Sequence, residues 1–187
     1  QSTPDVVVQA SNGTATPLEV RQGGSNNASY GLGYESLENN TVGYANTAFG
    51  NYSMRYNATG NYNTAVGASS LTSNTSGANN TGIGYGSLNA NTVGANNTAL
   101  GFYSLLLNTS GSNNVAIGSQ SAYNNTVGAQ NVAIGYLPLF TNTSGNYNIA
   151  MGSQSLYANT TGNENTAIGF NAASNNTTGY GNTFLGA

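Results

Sequence analysis

Apolar and polar positions in this chain recur every seventeen residues, neither at the helical period nor at the simple alternation of a long strand. Counting from Gly43 as column one, glycine holds the first column from Gly43 to Gly179 and the eighth from Gly33 to Gly186, with no insertion. The sixth column is almost all Ala or Gly until Phe184. The seventh is large and apolar, for example Phe49, Ile83, Leu100, Ile117, Met151 and Leu185. The twelfth is mostly Leu, with Met54, Ala122 and Ala173 as exceptions. Columns five to seven alternate Thr or Val, Ala and Ile, the signature of a short strand. Seventeen residues rich in Gly and Asn cannot hold two helices and a turn. The repeat therefore predicts one coil of a parallel β-solenoid, with two short strands and two turns per coil and each column stacked on itself at about 4.8 Å.

Two asparagine columns strengthen that reading. The fourth holds Asn46, Asn63, Asn80, Asn97, Asn114, Asn131, Asn148, Asn165 and Asn182. The fifteenth holds Asn40, Asn57, Asn74, Asn91, Asn108, Asn125, Asn142, Asn159 and Asn176. Stacked Asn side chains bond to their own turn and to the Asn one coil away, so both columns are expected to be structural ladders rather than binding groups. Extended backwards, the first column reaches Asn26. Asn replaces Gly best where φ is positive, so a left-handed turn is expected at the first column.

The expected core is thin: columns seven and twelve supply about two large aliphatic side chains per coil. That is little burial for ordering seventeen residues. Columns five and seven must face one way and column six the other. One face then lies inside the coil and the other against a partner chain, which predicts a homo-oligomer with a trimer as the expected state. The small sixth column predicts close approach of another backbone, across the coil or from a neighbouring subunit.

Composition narrows the function. Among 187 residues there are 33 Asn and 26 Gly, with no His, Cys, Lys or Trp and only 4% charged residues. Nucleophile–histidine systems are excluded, and zinc and copper lack their ligands. Glu35 and Glu38 are the only close carboxylate pair, which argues against an enzyme and against glycan hydrolysis. Asp5 is the only Asp, so calcium-binding repeats are not expected. Two Arg cannot make a nucleic-acid surface. No apolar run approaches the ~18 residues of a membrane span. The chain is expected to need no cofactor or metal. Its low charge, lack of Cys and repeated ladders suit an extracellular, cell-surface or virion-surface setting.

The ends fall outside the regular pattern. Residues 1–25 contain the strand candidates Val6 to Ala10 and Leu18 to Arg21 around Asn12-Gly13. They read as a cap over the first coil or as an assembly strand, with Val6, Val7 and Val8 as its contacts. The solenoid is assigned to residues 26–187, and its last repeat stops at column nine. An uncapped end predicts either a longer fibre or end-to-end docking, with Phe184 and Leu185 as the docking residues.

Aromatic residues scatter over columns nine, ten and thirteen: Tyr85, Phe102, Tyr103, Tyr123, Tyr136, Phe140, Tyr157 and Phe170. Packing at turns explains them structurally, whereas a strip for a surface glycan or protein receptor explains them functionally. Sequons such as those at Asn57, Asn74, Asn108 and Asn142 arise without selection in an Asn/Thr-rich repeat. Column sixteen is a row of Thr, including Thr75, Thr92, Thr109 and Thr126, which raises the alternative of an ice-binding solenoid. No second Thr recurs two residues away within a coil, which weighs against it.

The block Asn165-Thr166-Ala167-Ile168-Gly169, and Asn114 to Ser121 with it, resembles the head repeats of trimeric autotransporter (YadA-like) adhesins and related repeats of phage tail fibres and bacterial surface fibres. The resemblance runs over residues 26–187. It implies a trimer of left-handed parallel β-rolls. The coil here is longer than the usual head repeat, and a coiled-coil stalk or membrane anchor is not expected to follow. The resulting expectation is a structural, extracellular fibre or filament subunit, with adhesion as a further role, whose main partner is itself; the alternatives are the ice-binding solenoid and the receptor-binding segment of a phage tail fibre.

Overall fold

The computed structural model describes residues 29–186 of the chain. It is all-β among these residues: a parallel β-solenoid of about nine turns. The strands are β1 (Tyr30–Leu32), β2 (Thr47–Phe49), β3 (Thr64–Val66), β4 (Thr81–Ile83), β5 (Thr98–Leu100), β6 (Val115–Ile117), β7 (Val132–Ile134), β8 (Ile149–Met151), β9 (Thr166–Ile168) and β10 (Thr183–Leu185). They form one sheet in chain order, every pair parallel. Register follows the columns, as in Ala99 opposite Ala116 and Leu100 opposite Ile117. At about 4.8 Å per coil the sheet runs roughly 43 Å along the rod. No helix among the described residues is long and apolar enough to cross a membrane.

The expected second strand does not form. Columns ten and twelve are left-handed in every described coil, as at Tyr103 (φ 53°) and Leu105 (φ 51°). Two left-handed residues around one serine curl the backbone too tightly for a pleat. Hydrogen bonds still run from coil to coil there: Leu105 N–H donates to Ser121 O at 2.9 Å, and Leu107 N–H to Tyr123 O at 3.0 Å.

The left-handed turn expected at the first column is also absent: those glycines do not have positive φ. They are glycine for space. A Cβ on Gly94 would collide with Asn91 Oδ1 and Gly111 O, and would sit 2.9 Å from Asn108 Nδ2. The eighth column needs both space and conformation. Gly101 has φ 139°, and its Cβ would lie 2.5 Å from Gly118 O.

The core differs from expectation in one column. Column twelve is buried, with Leu71, Leu88, Leu105 and Leu139 at 0% exposure, and column six meets it from the strand, with Ala99 and Ala116 also at 0%. Column seven lies outside: Leu100 is 44% exposed and Ile168 42%. Period-two alternation permits only one of the faces inside, and the coil is so narrow that only Ala or Gly fits opposite the leucines. The close approach comes from across the coil. At Gly82 a Cβ would meet Ser70 Oγ at 2.7 Å and Ser87 Oγ at 3.0 Å.

Candidate functional surfaces

Polar ladders take up most of the interior. In column four, Asn97 Nδ2 donates to Asn80 Oδ1 at 3.1 Å and to Gly111 O at 2.8 Å, while the Asn97 N–H donates to Asn80 Oδ1 at 3.0 Å. In column fifteen, Asn108 Nδ2 donates to Asn91 Oδ1 at 2.8 Å and to Gly111 O at 2.9 Å. From Gly60 to Gly162 each first-column carbonyl thus receives two amides, which explains why no side chain fits beside it. Most of the eighteen ladder asparagines are buried, and Asn40, Asn176 and Asn182 near the ends of the described coils are partly so. The sequons at Asn57, Asn74, Asn108, Asn142 and Asn159 therefore lie inside the fold.

A third ladder went unassigned in the sequence. Column eleven serines are buried, and most donate to the strand of the next coil, as Ser104 Oγ to Ala116 O at 2.8 Å and Ser121 Oγ to Ala133 O at 2.7 Å, while Ser87 and Ser155 donate to Gly84 O and Gly152 O of their own coils. The recurring Ser was visible in the repeat. Its inward direction depends on the left-handed residues flanking it, for which Tyr, Gln and Leu give no signal. Column sixteen has a structural use as well. Thr92 Oγ1 donates to Thr109 O at 2.9 Å, and Thr109 Oγ1 to Thr126 O at 3.0 Å. Those hydroxyl protons are committed to the next coil.

Three features remain on the outside. The first is the outer face of the sheet, columns five and seven, which carries no charge over ten strands. The second is a small charged cluster. Arg55 pairs with Glu35 at 2.7 Å and with Glu38 at 2.8 Å, and its guanidinium lies 5.5 Å from the Tyr52 ring centre and 5.0 Å from that of Tyr56. The carboxylate pair noted in the sequence is thus an ion-pair site. Tyr34 is pushed above the usual phenol range there, first by its hydrogen bond to Glu35 and then by that carboxylate's charge.

The third feature is aromatic, and it divides in two. Tyr123, Phe140 and Tyr157 occupy column thirteen of consecutive coils and stack on one another; Phe140 and Tyr157 are 5.3 Å apart at 4°. Tyr85, Phe102 and Tyr103 join that chain through Tyr103–Tyr123 at 6.2 Å. Tyr103 is raised above the usual phenol range, first by hydrogen bonding to Tyr85. Tyr136 and Phe170 stand apart, 54% and 61% exposed, without a ring neighbour among the described residues. Of the assembly candidates, Phe184 replaces Ala in β10 and is partly buried against the core, and Leu185 is exposed. Val6, Val7 and Val8, like the rest of residues 1–25, lie outside the described residues.

No cluster of His, Cys, Asp and Glu able to hold a metal occurs among the described residues. No protein family, curated protein or solved structure matches this chain.

Proposed function

We propose that the chain is a structural subunit of an extracellular or surface fibre, in which copies associate side by side through the outer face of the sheet, with a trimer as the unit. The observation that carries this reading is the uncharged column seven beside column five, exposed in eight strands and half-buried at Ile117 and Ile134, running through all ten strands. All-parallel sheets occur almost only with both faces covered, and here the inner face alone is covered by the coil. An apolar strip of this length is more than a solitary soluble rod ordinarily shows. Its ridges repeat at about 4.8 Å, a period that another copy of the same rod, aligned with it, reproduces.

Light scattering on the eluting protein tests this. Association at micromolar concentration is expected, and Ile117→Lys with Ile134→Lys should yield monomers of unchanged fold. A monomeric parent at that concentration, or an oligomer indifferent to both lysines, would overturn the reading.

A further inference from the structure

Column nine carries a pattern that assembly through the sheet face does not use. From Phe102 onward, Phe102, Tyr136 and Phe170 are spaced thirty-four residues apart, one ring every second coil, while Tyr85 in the coil before Phe102 stacks on it. All three are exposed, at 47%, 54% and 61%. The intervening coils place Ser119-Gln120 and Ser153-Gln154 at columns nine and ten. Backbone bonds lock these coils in register: Gln120 N–H donates to Phe102 O at 2.8 Å, and Gln154 N–H to Tyr136 O at 2.8 Å. The Gln120 and Gln154 side-chain amides and the Ser119 and Ser153 hydroxyls make no hydrogen bond to the described residues.

The rod therefore presents ring, amide with hydroxyl, ring, amide with hydroxyl, ring. Adjacent rings of this row lie about 9.6 Å apart, two coils at the strand spacing. That is close to the span of two β-1,4-linked pyranose units, after which such a chain presents the same face again. With serine on each side, Tyr136 has no ring neighbour among the described residues, unlike Phe140, which stacks on Tyr157; Phe102, at the end of the row, stacks on Tyr85 of the preceding coil and packs against Tyr103, which fixes its ring there. Apolar sugar faces stack on aromatic rings, and sugar hydroxyls pair with amides and hydroxyls. The row carries no charge, which fits a neutral ligand and not an acidic one.

We infer that Phe102, Tyr136 and Phe170, with Gln120 and Gln154 between them, form a binding strip for a neutral, linear β-1,4-linked glycan running along the rod. Every second sugar stacks on a ring, and the sugar between meets the amide and serine. The strip lies beyond the glycine corner of column eight and does not depend on association of copies.

Calorimetric titration of the full chain with cellohexaose, chitohexaose and cellobiose tests the inference, with oligomeric state followed separately by light scattering. The two hexasaccharides distinguish glucan from chitin as the source. At least one is expected to bind, about tenfold or more tighter than the disaccharide, because only the longer chain reaches all three rings. Tyr136→Ala should weaken binding about tenfold and Gln154→Ala less, with melting temperatures unchanged. Tyr147→Ala, an exposed ring outside the row, should bind as the parent does. No binding of either hexasaccharide would overturn the inference. So would affinity independent of chain length, or Tyr136→Ala binding as tightly as Tyr147→Ala. Loss of the oligomer in Ile117→Lys/Ile134→Lys with glycan binding retained would separate this strip from the assembly face.

Discussion

Replacing Asn97 by Ala measures what an interior ladder contributes. Asn97 is fully buried. Its Oδ1 accepts from the Asn114 N–H at 3.0 Å and from Asn114 Nδ2 at 3.1 Å. Its own Nδ2 serves Asn80 and Gly111. Removal has unequal consequences along the rod. Asn80 Oδ1 keeps the Asn97 N–H, Gly111 O keeps Asn108 Nδ2, and Asn114 Nδ2 keeps Gly128 O. Only the Asn114 N–H is left buried with no partner. One orphaned donor costs about 1–3 kcal/mol, and the lost side-chain bonds bring the total to roughly 2–4 kcal/mol. At a urea m-value of about 1–3 kcal/mol/M, the midpoint should fall by ~1–2 M. The control is Asn96→Gly at an exposed residue with φ 58°, expected within about 0.5 kcal/mol of the parent. Hydrogen exchange adds direction, since the Asn114 amide should lose protection while Asn97 keeps its own. Equal midpoints for the two variants, or symmetric loss of protection on both sides of residue 97, would refute the ladder argument.

Leu105→Ala removes a fully buried column-twelve side chain whose neighbour one coil on is already Ala122, and should cost about 2–5 kcal/mol by urea unfolding. Leu100→Ala, on the outer face, should cost under about 1 kcal/mol in the isolated chain and act on assembly instead. Gly101→Ala meets both a positive φ and the Gly118 carbonyl and should cost more than about 2 kcal/mol, read as a lost or shifted thermal transition. Asn97→Asp buries a carboxyl facing the Asn80 and Gly111 oxygens. Desolvation and those oxygens raise its folded pKa above the unfolded value of about 3.9, so its stability penalty is least below that pH and grows as pH rises through the folded pKa. Urea midpoints should then fall from pH 3.5 to pH 7 in this variant relative to the parent.

Periodicity made the solenoid legible because a column must do the same job in every coil. The asparagine columns carried enough chemistry to show their role unaided. Column seven was misread because apolarity alone does not distinguish inside from outside when strands alternate. The width of the coil decides, and that width comes from the left-handed pairs at columns ten and twelve. Leu105 at φ 51° shows the problem: leucine has no preference for that region, and only the repeated coil-to-coil bonds at Ser104 and Ser121 hold it there. The first-column glycines misled for the opposite reason. Glycine answers two needs, a positive φ and an absent Cβ, and only the position of the Asn amides showed which one applied.

The exchange of apolar core for polar ladder bears on where recognition can evolve. Columns one, four, six, eight, eleven, twelve and fifteen face inward or sit against backbone, so substitution there strains every neighbouring coil. Columns nine, ten and thirteen carry no interior duty except their backbone bonds, and there the chain departs from strict repetition. It does so in two ways with different physical meanings. Rings in consecutive coils, as at Tyr123, Phe140 and Tyr157, satisfy one another and stabilise the rod. Rings in alternate coils, as at Tyr136 and Phe170, gain nothing from one another at about 9.6 Å, whereas Phe102 belongs to both sets because it also stacks on Tyr85 of the coil before. Spacing therefore separates the structural aromatics from the candidates for binding. A graft tests that distinction: Ser119→Phe and Ser153→Phe together should fill the row, raise thermal stability through ring stacking, and abolish glycan binding by covering the ring faces. Increased glycan affinity in that variant would show that the row binds by total aromatic area and not by its two-coil period.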